Sequence, residues 1–268
     1  MIKFIKLILP PIFLDSIHRI INLIWGWHGN YPSWEMALKK STSYSNKEIF
    51  DKVKSAALKV KNGDAFFERD SVLFYQEELN YELLTTLMLI SSNSENGSLN
   101  IIDFGGSLGS TYFQNKKLLS LLPSLKWNIV EQEEFVKFGI KYLQDEHLSF
   151  YYSIKECLET NKVNVILFSS VLQYLEKPYE FLKEVLGSKI EFIIFDRTMI
   201  NHNLKDRLTV QKVPPWIYKA SYPCWIFDKT KLINLFNSSY DLLYEYDNKI
   251  AYIGSRVELI SLVFKCKS

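Results

Sequence analysis

Cysteine and histidine are scarce, with three of one and four of the other in 268 residues. Cys157, Cys224 and Cys266 are odd in number and widely spaced, which excludes a disulfide framework or a metal knuckle and points to reduced cytosolic thiols. His18, His28, His147 and His202 form no H-x-x-x-H pair, so no metal site is expected. An excess of one charge sign is also missing: 32 basic residues stand against 30 acidic ones, a net of +2. No Lys/Arg stripe interleaves with aromatics, so nucleic acid is not an expected partner. The apolar run at residues 7–14 is too short to span a bilayer, contains Pro10 and Pro11, and is followed by Asp15, His18 and Arg19. No small-residue cleavage site precedes Trp25, which argues against secretion.

Two readings of residues 1–27 stay open. Lys3, Lys6 and Arg19 beside Ile, Leu and Phe suit a peripheral segment on the inner face of the membrane. They equally suit two short helices packing on the domain or on a second subunit of a homo-oligomer, the favoured reading. The expected location is the cytoplasm. With 47% apolar and 23% charged residues, the chain has room for one sizeable α/β domain and an appended helical region.

What is present is one strongly organised stretch, LNIIDFGGSLGST at residues 99–111. Ile101 and Ile102 supply the β-branched core of a strand covered on both faces, and Asp103 stands at its end. Gly105, Gly106 and Gly109 then let the backbone turn tightly, approach a ligand and expose amides before a helix opens near residues 107–111. Strand, turn and helix make a nucleotide pocket. The spacing is not the G-x-G-x-x-G of dinucleotide sites, because the acid leads and glycines follow two and six residues on. That acid is free to meet a cationic group or to hold the turn.

Upstream, Ser33 caps a short helix, Ser45 or Asn46 caps another over 47–61, and residues 64–92 read as a third helical region. Residues 1–95 therefore form an N-terminal helical region, and SSNSENGS at 91–98 is a linker into an α/β domain over 96–268. Strands follow at 127–130, 148–152, 163–168 and 190–195, with later ones at 240–246 and 259–264 and a helix capped by Asp228 between. Glu131 ends the second strand, 28 residues beyond Asp103 and 22 beyond Gly109, where doubly wound folds place a carboxylate for ribose hydroxyls. Residues 199–225 are too long and too aromatic for a simple connection and read as a lid or recognition insertion.

The acid and glycines at 103–109 resemble motif I of the class I S-adenosylmethionine-dependent methyltransferases, (D/E)-x-G-x-G-x-G, with Ser107 in place of the middle glycine. SSVLQYLEKP at 169–178 resembles their V-L-H-H-L-x-x-P segment, with Gln173 in place of the first histidine. FGGSLGSTYFQNKK, VEQ, YYSIKECL, SSVLQYLEKPYEFL, DRT and VQKVPPWIYKASYPCWIF together resemble a small bacterial methyltransferase family often found with surface-polysaccharide genes, from about residue 31 to 264. The resemblance implies a Rossmann-like seven-stranded sheet of order 3-2-1-4-5-7-6 with the seventh strand antiparallel, and S-adenosyl-L-methionine as cofactor. It implies that Asp103 and Gly105 address the methionine end and Glu131 the ribose, with Gly106, Ser107 and Gly109 as further cofactor-binding residues. Ser153 falls where an acid often meets the adenine, and Ser169 and Ser170 border the sulfonium.

Asp196 and His202 are the chain's best candidates for a general base, and Gln173 is suited to orient a substrate hydroxyl. Arg197 can grip a phosphate or carboxylate, while Arg207, Gln211, Lys212, Tyr218 and Tyr222 are candidate contacts for a small-molecule or glycan acceptor. The expected reaction is methylation of an oxygen of a sugar, nucleotide-sugar or related metabolite. Two rivals stand beside it: a non-catalytic scaffold keeping the fold, and a nicotinamide-dependent oxidoreductase, disfavoured by the glycine spacing and the seventh strand.

Overall fold

The computed structural model describes residues 24–42, 46–201, 205–215, 217, 220–247 and 257–267. The N-terminal part comprises β1 (Gly26–His28), α1 (Trp34–Lys39), α2 (Asn46–Lys61), β2 (Phe67–Arg69), β3 (Val72–Phe74) and α3 (Tyr81–Asn93). It continues through β4 (Ser98–Phe104), α4 (Ser110–Leu119), β5 (Ser124–Val130), α5 (Glu133–Tyr142), β6 (Leu148–Tyr151), α6 (Ile154–Thr160) and β7 (Val165–Ser169). Then come α7 (Pro178–Gly187), β8 (Phe192–Asn201), β9 (Arg207–Lys212), β10 (Ser221–Asp228), α8 (Lys229–Phe236), β11 (Tyr240–Asp247) and β12 (Val257–Cys266).

β4 is central because both of its faces are apolar. Ile101 points into a core with Leu87, Tyr112 and Trp127, while Ile102 points into the opposite core with Phe168, Leu182 and Phe195. A strand buried this way must have a neighbour on each side, and β5 and β7 flank it in parallel. β6 and β8 extend the parallel set outward. β12 runs antiparallel to β8, and β11 pairs with β12. The order β6-β5-β4-β7-β8-β12-β11 is 3-2-1-4-5-7-6 with an antiparallel seventh strand, the Rossmann-like sheet that the resemblance implied.

Helix caps follow the sequence signals. Ser33 Oγ accepts from the Met36 amide and Asp228 Oδ1 from the Lys231 amide, each satisfying a first-turn donor. Ser45 lies outside the described residues, as do residues 1–23 of the 1–27 segment expected to meet a membrane or a second subunit; of the rest, Gly26 and Trp27 belong to β1. The stretch 91–98 holds the end of α3 and a single turn of 3-10 helix before β4 begins. Cys157, Cys224 and Cys266 are free. Among the described residues, no helix is long and apolar enough to cross a membrane.

The N-terminal region differs from the helical reading. β2 and β3 form a hairpin inside 64–92, because Asp70 and Ser71 both adopt positive φ (50° and 65°), as a two-residue primed turn requires. Phe67 and Phe74 face each other across it and stack at 4.4 Å, a cross-strand pair that outweighs local helix propensity. Residues 199–225 also form strands. β8 runs on through Asn201, β10 lies parallel to its end, β9 pairs with β10, and β1 pairs with β9 through Gly26 and Lys212. The Tyr31 amide bonds Leu208 O at 2.8 Å and the Thr42 amide bonds Ser221 Oγ at 2.7 Å. N-terminal region and insertion thus make one wall at the edge of the main sheet.

Candidate active site

A crevice of about 350 Å³ opens at the carboxyl ends of β4, β5 and β7, the edge where open parallel sheets bind ligands. Asp103 and Glu131 both line it, together with the turn 105–107 and with Ser169 and Ser170 after β7. From the N-terminal region come Arg69 and Asp70 of the hairpin and Ile49 and Val53 of α2.

The turn is fixed by close approach. A Cβ on Gly105, already at φ +69°, would lie 2.3 Å from Val171 Cγ2, and one on Gly106 would lie 2.6 Å from the Asp103 carboxyl. Ser107, the departure from the family motif, takes φ +55°, a glycine-like conformation that costs a non-glycine residue about 1 kcal/mol. Of the seven non-glycine residues with positive φ among those described, Asp70, Ser107, Ser170 and Arg197 line this one crevice. Strain of this kind collects where surrounding structure holds a site in shape.

Asp103 is fully buried. The Trp127 indole N–H donates to its Oδ2 at 3.0 Å, and its Oδ1 has no protein partner. Burial pushes its pKa up to about 7; Trp127 and Arg197 pull against that, while Glu131 and Asp196 add to it. Glu131 is also held above the usual carboxylate range by burial, offset by the backbone amides of Gln132 and Ser107. The Gln132 amide is 2.7 Å from Glu131 Oε2.

On β8, Asp196 and Arg197 together oppose Ser261 of β12, the register shift of a β-bulge. Arg197 sits at φ +51° and the bulge turns its guanidinium into the crevice. Its Nη2 donates to Ser169 Oγ at 2.7 Å, and its Nε lies 3.2 Å from Asp196 Oδ2. Ser169 Oγ donates to Asp196 Oδ2 at 2.7 Å and Ser261 Oγ to Oδ1 at 3.0 Å. Asp196 is therefore saturated and wholly buried, a support for Arg197. Arg69 faces it from the hairpin, its Nη2 donating to Gln114 Oε1 at 3.1 Å. Burial, with Arg197 nearby, brings its pKa down to about 10.

A second cavity of about 450 Å³ adjoins the first and shares Asp70, Ser170 and Tyr174 with it. Its remaining walls include Trp34, Gln211 and Tyr222, from α1, β9 and β10. The Tyr174 hydroxyl donates to Gln211 Oε1 at 2.8 Å, and its ring meets Tyr222 edge-on at 5.2 Å.

The expected residues divide accordingly. Asp103, Gly105, Gly106, Ser107, Glu131, Ser169, Ser170 and Arg197 meet in the crevice, and Gln211 and Tyr222 line the adjoining cavity. Gly109 caps α4 at φ +96°. Ser153 caps α6, accepting from the Glu156 amide at 3.1 Å, and lines a separate cavity of about 590 Å³ with Phe104 and Phe181. Gln173 is 2% exposed in a 3-10 turn and borders neither the crevice nor the adjoining cavity. Arg207 donates to Gly29 O at 3.0 and 2.8 Å, tying β9 to the loop after β1, and Lys212 is exposed at the end of β9. His202 and Tyr218 lie outside the described residues. Arg69, Asp70, Trp34 and Tyr174 were not singled out. The signal for the first two was the alternation of Phe67, Arg69, Val72 and Phe74 around a turn-forming Asp-Ser pair.

A strand order of 3-2-1-4-5-7-6 with a crevice at the carboxyl ends of its first, second and fourth strands defines a Rossmann-like α/β fold. No family model and no curated protein matches the chain. Solved structures resemble it in fold. The N-terminal domain of EvdMO1, crystallised in the presence of SAH and D-fucose, is 14% identical, with a TM-score of 0.49 over 84% of this chain and 98% of that one. The glycopeptide N-methyltransferase MtfA, complexed with sinefungin, is 8% identical, with a TM-score of 0.44 over 63% and 86%. A SAM-dependent methyltransferase from Methanosarcina mazei is 10% identical, with a TM-score of 0.45 over 66% and 96%.

Proposed function

We propose that the chain is an S-adenosyl-L-methionine-dependent methyltransferase acting on an oxygen of a sugar, nucleotide-sugar or related small metabolite, in the cytoplasm and in the service of surface-polysaccharide synthesis. One observation carries the reading: Asp103 and Glu131, borne by neighbouring parallel strands, face a single crevice closed by the 105–107 turn. The donor set fits the cofactor. Asp103 offers a buried oxygen without a partner, suited to an ammonium or to the turn that holds one, and Glu131 suits a ribose diol. Arg69 and Arg197 bring two guanidiniums to the same crevice, suited to a carboxylate. Ile49, Val53 and Phe135 line it with apolar surface that excludes water.

When bound, the sulfonium supplies an electrophilic methyl group, so the protein's task is alignment and desolvation. That accounts for a site with no nucleophile–base triad among the described residues. The test is calorimetric titration with S-adenosylmethionine and S-adenosylhomocysteine, followed by a turnover assay for the latter with pools of nucleotide-sugars and glycans. Both ligands are expected to bind at one site, and turnover to require acceptor. Binding without turnover on any pool favours the scaffold, and failure of both ligands to bind refutes the reading.

A further inference from the structure

We propose, on the methyltransferase reading, that the cavity beside the crevice receives a neutral saccharide unit and that Asp70 takes the proton of the hydroxyl being methylated. Asp70 is the carboxylate that lines both cavities among the described residues, so it stands where donor and acceptor must meet. It is exposed, and no hydrogen bond or ion pair engages it among the described residues. A base must reach its proton and have a free lone pair. Asp196 has neither property, being buried beneath Ser169, Ser261 and Arg197. Glu131 and Asp103 line the crevice but not the second cavity.

The placement of Asp70 is rigid. Its neighbour Glu68 is 3% exposed, accepts from the Ser71 amide at 3.0 Å across the turn, and accepts from Ser110 Oγ at the start of α4. One carboxylate thus ties the hairpin tip to the helix that follows the glycine turn. Phe67 stacked on Phe74 stiffens the hairpin behind it. Arg69 and Glu68, on the strand leading into the turn, act electrostatically on Asp70, and Arg197 of β8 lines the same crevice.

The cavity's chemistry selects the acceptor class. Trp34, Tyr174 and Tyr222 offer rings to the C–H faces of a pyranose, and the Gln211 amide and Asp70 offer partners to its hydroxyls. Among the described residues no Lys or Arg lines it, and an uncharged sugar ring needs no counter-charge. As the acceptor oxygen forms its bond to the methyl carbon, its proton passes to an Asp70 Oδ atom. The carbon–sulfur bond breaks and its electron pair stays on sulfur. Asp70 later releases the proton to solvent.

The experiment uses the full chain, with S-adenosylhomocysteine binding measured first by calorimetry. The probes are glucose, galactose, rhamnose and fucose, free and as nucleoside diphosphate esters, read by saturation-transfer NMR and by S-adenosylhomocysteine release. Wild type is expected to bind at least one probe, and Trp34→Ala to weaken that binding about 3–10-fold. Asp70→Asn, a residue that tolerates positive φ, is expected to lower kcat by about 10²–10⁴-fold with the affinity for S-adenosylhomocysteine unchanged. S-Adenosylhomocysteine binding with no saccharide response overturns the proposal. So does an Asp70→Asn enzyme that keeps wild-type kcat. Loss of S-adenosylhomocysteine binding by wild type itself overturns the methyltransferase reading instead.

Discussion

The crevice has two sides that are built differently. On the β4–β5 side, Asp103 and Glu131 are fixed by the strands that carry them, and a tight turn packs against the fully buried Asp103. On the other side, Trp34, Asp70, Gln211 and Tyr222 come from four separate segments and are brought together by the β1-β9-β10 extension and a hairpin. The first side is buried and electrostatically tense; the second is open and aromatic. A group that must hold a charged ligand gains from low dielectric, while one that must pass a proton to solvent gains from exposure. Asp103 and Asp70, lining one crevice in opposite surroundings, express that division.

Substitutions can break the sealed side while sparing the open one. The largest effect is expected from Gly106→Ala, whose Cβ cannot coexist with the Asp103 carboxyl at 2.6 Å. Calorimetry should find S-adenosylhomocysteine binding weaker by about 100-fold or more, and thermal unfolding a stability loss of about 1–3 kcal/mol. Asp103→Asn keeps the acceptor for Trp127 but removes the charge, and should weaken binding by about 10–100-fold.

The same substitution tests a pH dependence. The folded pKa of Asp103, about 7, lies above the ordinary aspartate value of 3.8, so the folded chain keeps this proton longer than the unfolded one. Its contribution to stability is therefore full below about pH 4 and lost as pH rises through about 7. Binding of a cationic ligand runs the other way and should tighten over that same rise. Both trends should flatten in Asp103→Asn, as read by chemical denaturation and titration from pH 5 to 8.

On the open side, Arg207→Ala removes the two hydrogen bonds to Gly29 O. Tm should fall by about 2–4 °C and the acceptor KM should rise, while the affinity for S-adenosylhomocysteine stays as it was. The smallest effect is expected from Ser107→Gly, which relieves a left-handed serine and should stabilise the chain by about 0.5–1 kcal/mol, offset in part by the entropy a glycine adds to the unfolded state. Destabilisation would mean that the hydroxyl contributes more than the strain costs.

The sealed side was legible in the sequence because its signals are local. The apolar strand, the acid at its end and the glycines at their spacing all lie within thirteen residues, and the Glu131 spacing follows from one βαβ unit. Even Ser107 is consistent, since it adopts a left-handed conformation that glycine takes most readily. Elsewhere local signals misled. Residues 64–92 have helical periodicity near Leu83 and Leu87, which hid a hairpin whose stability comes from the cross-strand Phe67–Phe74 stack. Asp196 read as a base because a strand-end acid is usually exposed; the bulge opposite Ser261, which buries it, leaves no mark in a single strand's pattern. Arg207 read as a ligand contact because nothing near it in sequence announces that its partner is Gly29.

The ribbon formed by β1, β9 and β10 bears on protein engineering. Residues 26–28 and 207–212 are remote along the chain yet share one hydrogen-bonded register. Grafting residues 199–225 from a relative to change acceptor preference would strand an unpaired β9 edge, open to intermolecular pairing, unless residues 24–42 travelled with them. Chimeras should therefore be cut as matched pairs of segments, one covering 24–42 and the other 199–225.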